Sequence, residues 1–296
     1  MELIKVGGIQ KEKAISPRKT MFKTMMKRFF QNKLAVVAGI FIVILIFMAL
    51  FAPVIAPHDP SEQDYSKILK APSAEHWFGT DEIGRDIFSR VIFGARVSLQ
   101  AGLISVGIAL SIGIPVGLIS GFYRGAVDEI IMRITDALLS FPSLVLALAL
   151  AAVLGAGLEN AMMAIGIVLT PNFIRLIRAE VLAHREREYV EAAKASGLRD
   201  WRVILIHIFP NTLAPIMVQA TLAIASAIIS EASLSYLGLG TQPPTPSWGA
   251  MLSAGQGYLS DAPWIAICPG IFIFLTVISI NLFGDGVRDM LDPKLK

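Results

Sequence analysis

Several long stretches without a charged residue most constrain what this chain can fold into. Residues 34–56 form the first of them. A helix rises about 1.5 Å per residue, so about 20 apolar residues cross the roughly 30 Å hydrocarbon core of a bilayer. A spanning segment must also satisfy its own backbone hydrogen bonds, which favours helices. Further charge-free stretches of about this length lie at residues 97–123, 137–158, 211–230 and 262–284.

A sixth span is predicted from a shorter stretch, residues 160–174. Leu176 and Ile177 continue its apolar character, and Arg175 and Arg178 have side chains long enough to reach the membrane surface. The sequence therefore predicts an all-α, polytopic membrane protein with six transmembrane helices.

The composition agrees with a membrane protein and excludes several other classes. Apolar residues make up 54% of the chain and charged residues 17%, with a mean hydropathy of +0.64. A net charge of +3, without a basic stripe, argues against nucleic acid as a partner. The single cysteine, Cys268, lies in an apolar run and excludes an intramolecular disulfide framework.

The distribution of basic residues predicts the orientation in the membrane. With six spans, 21 of the 26 Lys and Arg residues fall on the side of the two termini, and the remaining five lie in one loop on the other side. Because short cytoplasmic loops are enriched in Lys and Arg, both termini are predicted to be cytoplasmic. The predicted segments are a basic cytoplasmic N-terminal tail (1–33), a first transmembrane helix (34–56), an extracytoplasmic loop (57–96), a five-helix core (97–284) containing a cytoplasmic loop (178–210), and a cytoplasmic C-terminal tail (285–296).

The cytoplasmic loop has the pattern of two short helices around a tight turn. An alanine-rich polar helix is predicted to end at Gly197, where a left-handed conformation is free of steric cost. Asp200 is placed to cap a second short helix that leads into the fifth span. Ala192 and Ala193 leave one side of the first helix with little bulk, which favours close approach of a partner. The alternative is an amphipathic loop that simply lies on the membrane.

Three motifs resemble one family of transport proteins. The pattern Glu191-Ala-Ala-x-x-x-Gly197, followed by His207 and Pro210-Asn211, resembles the EAA loop of bacterial ABC importer permeases. The segments 76–96 and 231–248 resemble the C-type permease subunits of the dipeptide, oligopeptide and nickel group. The similarity runs from about Phe22 to Pro293.

The resemblance implies that the chain forms half of a translocation pathway for di- or oligopeptides. Its implied partners are a homologous B-type permease, two cytoplasmic ABC ATPase subunits and an extracytoplasmic substrate-binding protein. ATP and Mg²⁺ would be bound by the ATPase subunits, and the chain contains no phosphate-binding Gly-x-x-x-x-Gly-Lys-Ser/Thr pattern. The chain is therefore expected not to be an enzyme. The resemblance assigns ATPase coupling to Glu188, Tyr189, Glu191, Ala192, Ala193, Ser196, Gly197, Arg202, His207 and Pro210.

Polar residues inside the predicted spans are candidates for the translocation path. Glu231 is expected near the outer end of the fifth span, either facing the path or capping loop amides there. Hydrogen bonding between helices is the alternative role for such polar residues. The candidates are Asn172, Gln219, Ser226, Ser230, Glu231 and Asn281.

Other patterns in the sequence are given a structural interpretation. His58 and His76 lie among scattered acidic residues, but the two histidines do not share a helix turn, so no metal site is predicted. Glycines 102, 107, 113, 117 and 121 are predicted to allow close helix packing. Import of nickel or another small solute remains the alternative within the family. A membrane enzyme or signalling scaffold is disfavoured, because no nucleophile is placed beside a base.

Overall fold

A computed structural model describes residue 26 and residues 28–291. Most of the predicted N-terminal tail and residues 292–296 of the predicted C-terminal tail lie outside the described residues. Within the described part, all regular elements are helical. They are α1 (Lys33–Leu50), α2 (Ala52–Ile55), a 3-10 turn (Tyr65–Lys67), α3 (Ile87–Tyr123), α4 (Gly125–Leu139), α5 (Ser143–Leu154), α6 (Leu158–Arg185), α7 (Glu188–Ala195), α8 (Asp200–Arg202), a π turn (Val203–Ile208), α9 (Phe209–Tyr236), α10 (Trp248–Gly255), a 3-10 turn (Gln256–Tyr258) and α11 (Trp264–Leu291).

Five helical segments are long and apolar enough to cross a membrane: α1, α3, α6, the continuous unit from α8 to α9, and α11. A sixth crossing is possible if α4 and α5 are taken together, although they are bent by 93°. The prediction of an all-helical membrane fold is therefore confirmed, with five candidate spans, or six if the bent pair counts as one, against the six predicted. The third span differs most from the prediction.

The predicted third span, residues 137–158, is broken near its start. Pro142 lacks an N–H and disfavours a helical residue before it, so the helix stops at Leu139 and restarts at Ser143. The preceding residues, predicted as a loop, form the amphipathic helix α4. A count of uncharged residues cannot detect such a break, because proline is as uncharged as leucine.

Several helices extend beyond the charge-free stretches. Helix α3 begins at Ile87, ten residues before the predicted span, and Asp86 caps it by accepting a hydrogen bond from the Ser89 amide at 2.7 Å. Helix α6 continues to Arg185, and α11 continues to Leu291 within the predicted C-terminal tail. Charge-free length reports only the hydrocarbon part of a helix, whereas its backbone hydrogen bonds continue into the polar layer.

The predicted second short helix of the cytoplasmic loop is not separate. Helix α8 passes through the π turn directly into α9, and Arg199, not Asp200, occupies the N-cap position of α8. Pro210, in the first turn of α9, has no N–H to complete a regular helical ladder. The wider π turn before Pro210 accommodates this interruption without ending the helix.

Helices α3 and α6 have the most extensive contact of any two helices in the described part of the chain, and they run in the same direction. A Cβ atom added to Gly117 would lie 2.8 Å from the Cβ of Ile177, and one added to Gly121 would lie 2.6 Å from the Cβ of Val181. The prediction of close packing is confirmed for Gly102, Gly113, Gly117 and Gly121, whereas a Cβ at Gly107 would meet nothing within 4 Å. Both helices end together at what we call the inner end, the end predicted to be cytoplasmic.

Candidate coupling segment

Helix α7 has one buried side and one exposed side. Val190 is fully buried and Ala193 is 7% exposed, and both belong to the hydrophobic core cluster that includes Phe122 and Val181 from the inner ends of α3 and α6. The opposite side carries exposed side chains that include Tyr189 and Glu191. The helix is therefore attached firmly to the bundle and presents a polar face outward.

The two alanines of the motif lie on different faces of α7. Ala193 packs inward, whereas Ala192 is exposed. Successive helical residues are about 100° apart, so neighbouring alanines cannot both lie at the centre of one face. The expectation that both leave room for a partner is wrong for Ala193, whose small side chain lets α7 approach its own core.

Gly197 ends α7 in a left-handed conformation, as predicted, with φ at +77°. Its amide donates to the Lys194 carbonyl at 2.9 Å, and the Leu198 amide donates to the Ala193 carbonyl at 3.3 Å. The Ser196 hydroxyl donates to the Ala192 carbonyl at 2.8 Å. A Cβ at Gly197 would meet nothing within 4 Å, so the backbone angle and not the available space requires glycine here.

Two contacts hold α7 against the inner ends of α3 and α6, a third joins those two ends to each other, and no local sequence pattern predicts any of them. The Lys194 Nζ atom lies 4.9 Å from the centre of the Phe122 ring. Arg185 donates to the Phe122 carbonyl at 2.6 Å. His184 Nδ1 and the Tyr189 hydroxyl are 2.9 Å apart. Phe122 and Arg185 are separated by 63 residues, and no local spacing signals such a contact.

The remaining coupling candidates follow on the next helical unit. Glu191 and Arg202 are not paired with each other. The Glu191 carboxylate has no hydrogen bond or ion pair with the described residues, and the Arg202 guanidinium lies 5.1 Å from the Trp201 ring centre. His207 is half-buried and Pro210 is exposed. The structure thus places an unpaired acid and an exposed aromatic–cation pair at the inner end of the bundle.

Five of the six path candidates are spread over three helices. Asn172 is exposed on α6, while Gln219, Ser226 and Ser230 lie on α9 and the half-buried Asn281 lies on α11. The Ser226 hydroxyl donates to the Leu222 carbonyl at 3.3 Å, and the Ser230 hydroxyl donates to the Ser226 carbonyl at 2.9 Å. The two serines therefore use their hydroxyl hydrogens within their own helix.

Glu231 is completely buried at the outer end of α9. Its Oε1 atom accepts hydrogen bonds from the hydroxyls of Ser235, Ser247 and Thr241 at 2.6, 3.1 and 3.3 Å. The carboxylate therefore ties α9 to the following outer loop. Of the two predicted roles, the loop contact is the one seen, although the donors are hydroxyls and not amides.

Comparison with known families gives two matches along the chain. Residues 113–296 match the family described as the inner membrane component of binding-protein-dependent transport systems. Residues 20–72 match the N-terminal transmembrane domain of oligopeptide transport permease C. The first match contains α7 and the whole of α9, and the second contains α1.

Curated relatives match over nearly the full length. The dipeptide transport system permease protein DppC of Alkalihalophilus pseudofirmus is 49% identical over 283 residues, which cover 96% of this chain and 92% of the relative. The probable D,D-dipeptide transport system permease protein DdpC of Escherichia coli K12 is 50% identical, covering 89% and 88%. The glutathione transport system permease protein GsiD of Pectobacterium atrosepticum is 44% identical, covering 94% and 93%.

A solved structure shares the fold at low sequence identity. A chain from the inward-facing MetNI methionine ABC transporter superposes with a TM-score of 0.60 at 17% identity. The match covers 70% of this chain and 98% of that chain.

Proposed function

The chain belongs to the family of inner membrane components of binding-protein-dependent transport systems, and from this membership we propose that it carries short peptides inward as one of two permeases in an ATP-driven importer. Relatives named for dipeptide and glutathione transport support a short peptide as the solute. The translocation path would lie between this chain and a homologous B-type permease. An extracytoplasmic binding protein would deliver the solute.

The one-sided packing of α7 carries the proposal that this helix couples the permease to an ATPase. A docking element must move with its partner and must also transmit that movement to the bundle. The buried Val190 and Ala193 fix α7 to the ends of α3 and α6, while Tyr189, Glu191 and Ala192 remain exposed for a partner. We place this face in a cleft of a cytoplasmic ATPase subunit, which binds ATP and Mg²⁺.

The orientation in the membrane is part of the same proposal. Both termini and α7 lie on the cytoplasmic side, because that side then receives 21 of the 26 basic residues. ATP on the ATPases and peptide in the path each act by favouring one of two arrangements of the permease pair. A ligand with equal affinity for both arrangements would shift nothing.

Purification and uptake measurements test the proposed assembly and solute. The tagged chain, extracted in mild detergent from its own host, is expected to retain a second permease and ABC ATPase subunits. Cells lacking the chain should lose uptake of radiolabelled di- or tripeptides and regain it from a plasmid copy. Purification without an ATPase would overturn the importer proposal, and loss of nickel uptake with peptide uptake intact would overturn the proposed solute.

A charge reversal tests the coupling face separately from the fold. Glu191→Lys changes an exposed, unpaired side chain on α7, so the variant should fold and insert normally. It is expected to lose ATPase during purification and to lose uptake. Glu159→Lys, an exposed reversal in the first turn of α6, is the matched control and should retain the ATPase. Equal ATPase retention by both variants would place the docking surface elsewhere.

A further inference from the structure

The outer segment before α3 contains a small acidic cavity that the transport proposal does not use. It has a volume of about 70 Å³ and is lined by His58, Asp59, Glu62, Asp64, Lys67, His76, Gly84 and Asp86. One possible ligand atom from each of His58, His76 and Asp86 lies within 4.8 Å of the others. The chain brings these three residues together from separate points of the outer loop, residues 57–96.

His76 presents a buried nitrogen that lacks a partner. Its ring lies 2.9 Å, through Nδ1, from Oδ1 of Asp86, and its side chain is only 8% exposed. A carboxylate only accepts hydrogen bonds, so Nδ1 carries the hydrogen in this contact. The Nε2 atom is buried without a hydrogen-bond partner in the described structure. A neutral ring held in this way offers an unused lone pair at Nε2.

His58 is fixed in a complementary way. Its Nε2 atom lies 3.1 Å from the Glu75 carbonyl oxygen, which can only accept, so Nε2 carries a hydrogen. In the neutral form of the ring, Nδ1 then has the lone pair. The rings of His58 and His76 are 4.7 Å apart at their centres. His58 is half-buried and therefore has room to adjust toward a shared ligand.

The surrounding charges favour a cation. Asp59, Glu62 and Asp64 contribute carboxylates to the cavity, and Glu62 makes no side-chain hydrogen bond or ion pair with the described residues. Lys67 is the one lysine among the residues lining the cavity, which include no arginine, and its ammonium group is already 3.3 Å from Asp64 and 2.8 Å from Glu75. The cavity therefore retains an excess of negative charge.

We propose that this cavity binds a divalent transition cation of the zinc class through His58 and His76. Glu62 lines the same cavity outside the group of converging ligand atoms, and its exposed side chain would turn inward to supply a third ligand. Two imidazoles and a carboxylate form a donor set that Zn²⁺ accepts in tetrahedral geometry. Asp86 acts as a positioning residue, because a carboxylate that accepts from one ring nitrogen orients the other nitrogen toward the metal. Asp86 also caps α3, so the site joins the outer loop to a membrane helix.

Sequence spacing could not reveal this site. The absence of two histidines within one helix turn led to the prediction that no metal is bound. The structure assembles the ligands by tertiary contacts instead: the His58 amide donates to the Ser89 hydroxyl at 3.2 Å, and the Lys70 amide donates to the Thr80 hydroxyl at 2.9 Å. A bound ion would fasten three points of the loop that are distant in sequence and would stiffen the surface facing outward.

Zinc titration of the purified full-length chain tests the proposal. Calorimetry should give one Zn²⁺ per chain with micromolar or tighter affinity, and zinc should raise the thermal unfolding temperature. His58→Gln should weaken binding at least about tenfold, as should Asp86→Asn through misorientation of His76. His184→Gln, which changes one of the other two of the four histidines, is the matched control and should bind zinc like the unmodified chain.

A second measurement uses the unmodified protein and therefore tests the site even if these variants fail to fold. Zinc should protect His58 from diethyl pyrocarbonate, with the modified residues identified by mass spectrometry, while His184 and His207 react as before. The proposal is overturned if the unmodified chain takes up no zinc at micromolar concentrations. It is also overturned if a folded His58→Gln variant binds zinc as tightly as the unmodified chain, or if zinc protects His184 or His207 instead.

Discussion

Arg178 holds Asp128 through two parallel hydrogen bonds, Nε to Oδ1 at 2.5 Å and Nη2 to Oδ2 at 2.7 Å. The pair joins α4 to the inner half of α6 across 50 residues of sequence. The Ser120 hydroxyl donates to the same Oδ1 at 2.5 Å and adds α3 to the contact. The first half of the bent α4–α5 pair is therefore fixed to both helices that support α7.

We expect Asp128→Asn to destabilise the bundle by about 1–3 kcal/mol, because a bidentate, half-buried charge pair is replaced by a weaker contact. The thermal unfolding midpoint in detergent measures the change. Glu129→Gln is the control, since its pair with Arg133 is exposed and is worth no more than about 0.5 kcal/mol. Equal shifts for the two variants would contradict the structural role of Asp128.

The contact between α3 and α6 predicts that two glycine substitutions in α3 change the free energy of unfolding in opposite directions. Gly117→Ala places a methyl group 2.8 Å from the Ile177 Cβ atom and should cost about 1–3 kcal/mol, because the two helices must separate. Gly107→Ala meets nothing within 4 Å and should gain about 0.5–1 kcal/mol from the lower entropy of its unfolded chain. If Gly107→Ala destabilised the protein as much as Gly117→Ala, the close contact with Ile177 would not be the cause of the loss at Gly117.

The sequence predicted those parts of the fold that depend on local chemistry. Charge-free length located the spans, and glycine at position 197 located the end of α7, because hydrocarbon thickness and the left-handed backbone constrain single segments. Coarse family assignment also followed, since its motifs are short and contiguous. Each of these properties depends on a single segment of the chain and not on its neighbours in the fold.

The features that the sequence analysis missed either escape a count of charges or depend on contacts between distant segments. The break at Pro142 follows from one residue whose effect on α4 is invisible to a count of charges. The inward direction of Ala193 depends on Phe122 and Val181, which come from other helices. The meeting of His58 with His76 depends on how the whole outer loop folds. Periodicity describes one helix at a time and holds no information about its neighbours.

Because Glu231 is buried and accepts a hydrogen bond from Ser247, we expect the stability of the protein to depend on Ser247. Ser247→Ala removes one of three hydroxyl donors to a fully buried carboxylate and should cost about 1–3 kcal/mol. The shift in thermal midpoint is the measurement. Ser260→Ala, in an exposed part of the same outer region, should change stability by less than about 0.5 kcal/mol. A neutral Ser247→Ala would mean that the carboxylate does not depend on this loop.

The left-handed backbone at Gly197 predicts a local effect on α7. Gly197→Ala should cost about 1 kcal/mol, because an L-residue resists the φ of +77° although its methyl group would meet no atom within 4 Å. Amide hydrogen exchange at residues 195–198 should then quicken about fivefold as the last turn of α7 opens more often. Gly257→Ala, also in open space but without a positive φ, is the control and should leave exchange in α7 unchanged.

The replacement Gly197→Asn shows whether position 197 requires glycine itself or only a residue that tolerates the left-handed backbone conformation. Asparagine tolerates the left-handed region better than alanine, so Gly197→Asn should exchange more slowly than Gly197→Ala at the end of α7. If α7 docks on an ATPase, retention of the ATPase during purification should follow the same order: glycine first, asparagine next and alanine last. An ATPase retained equally by all three would mean that docking does not depend on how this turn is closed.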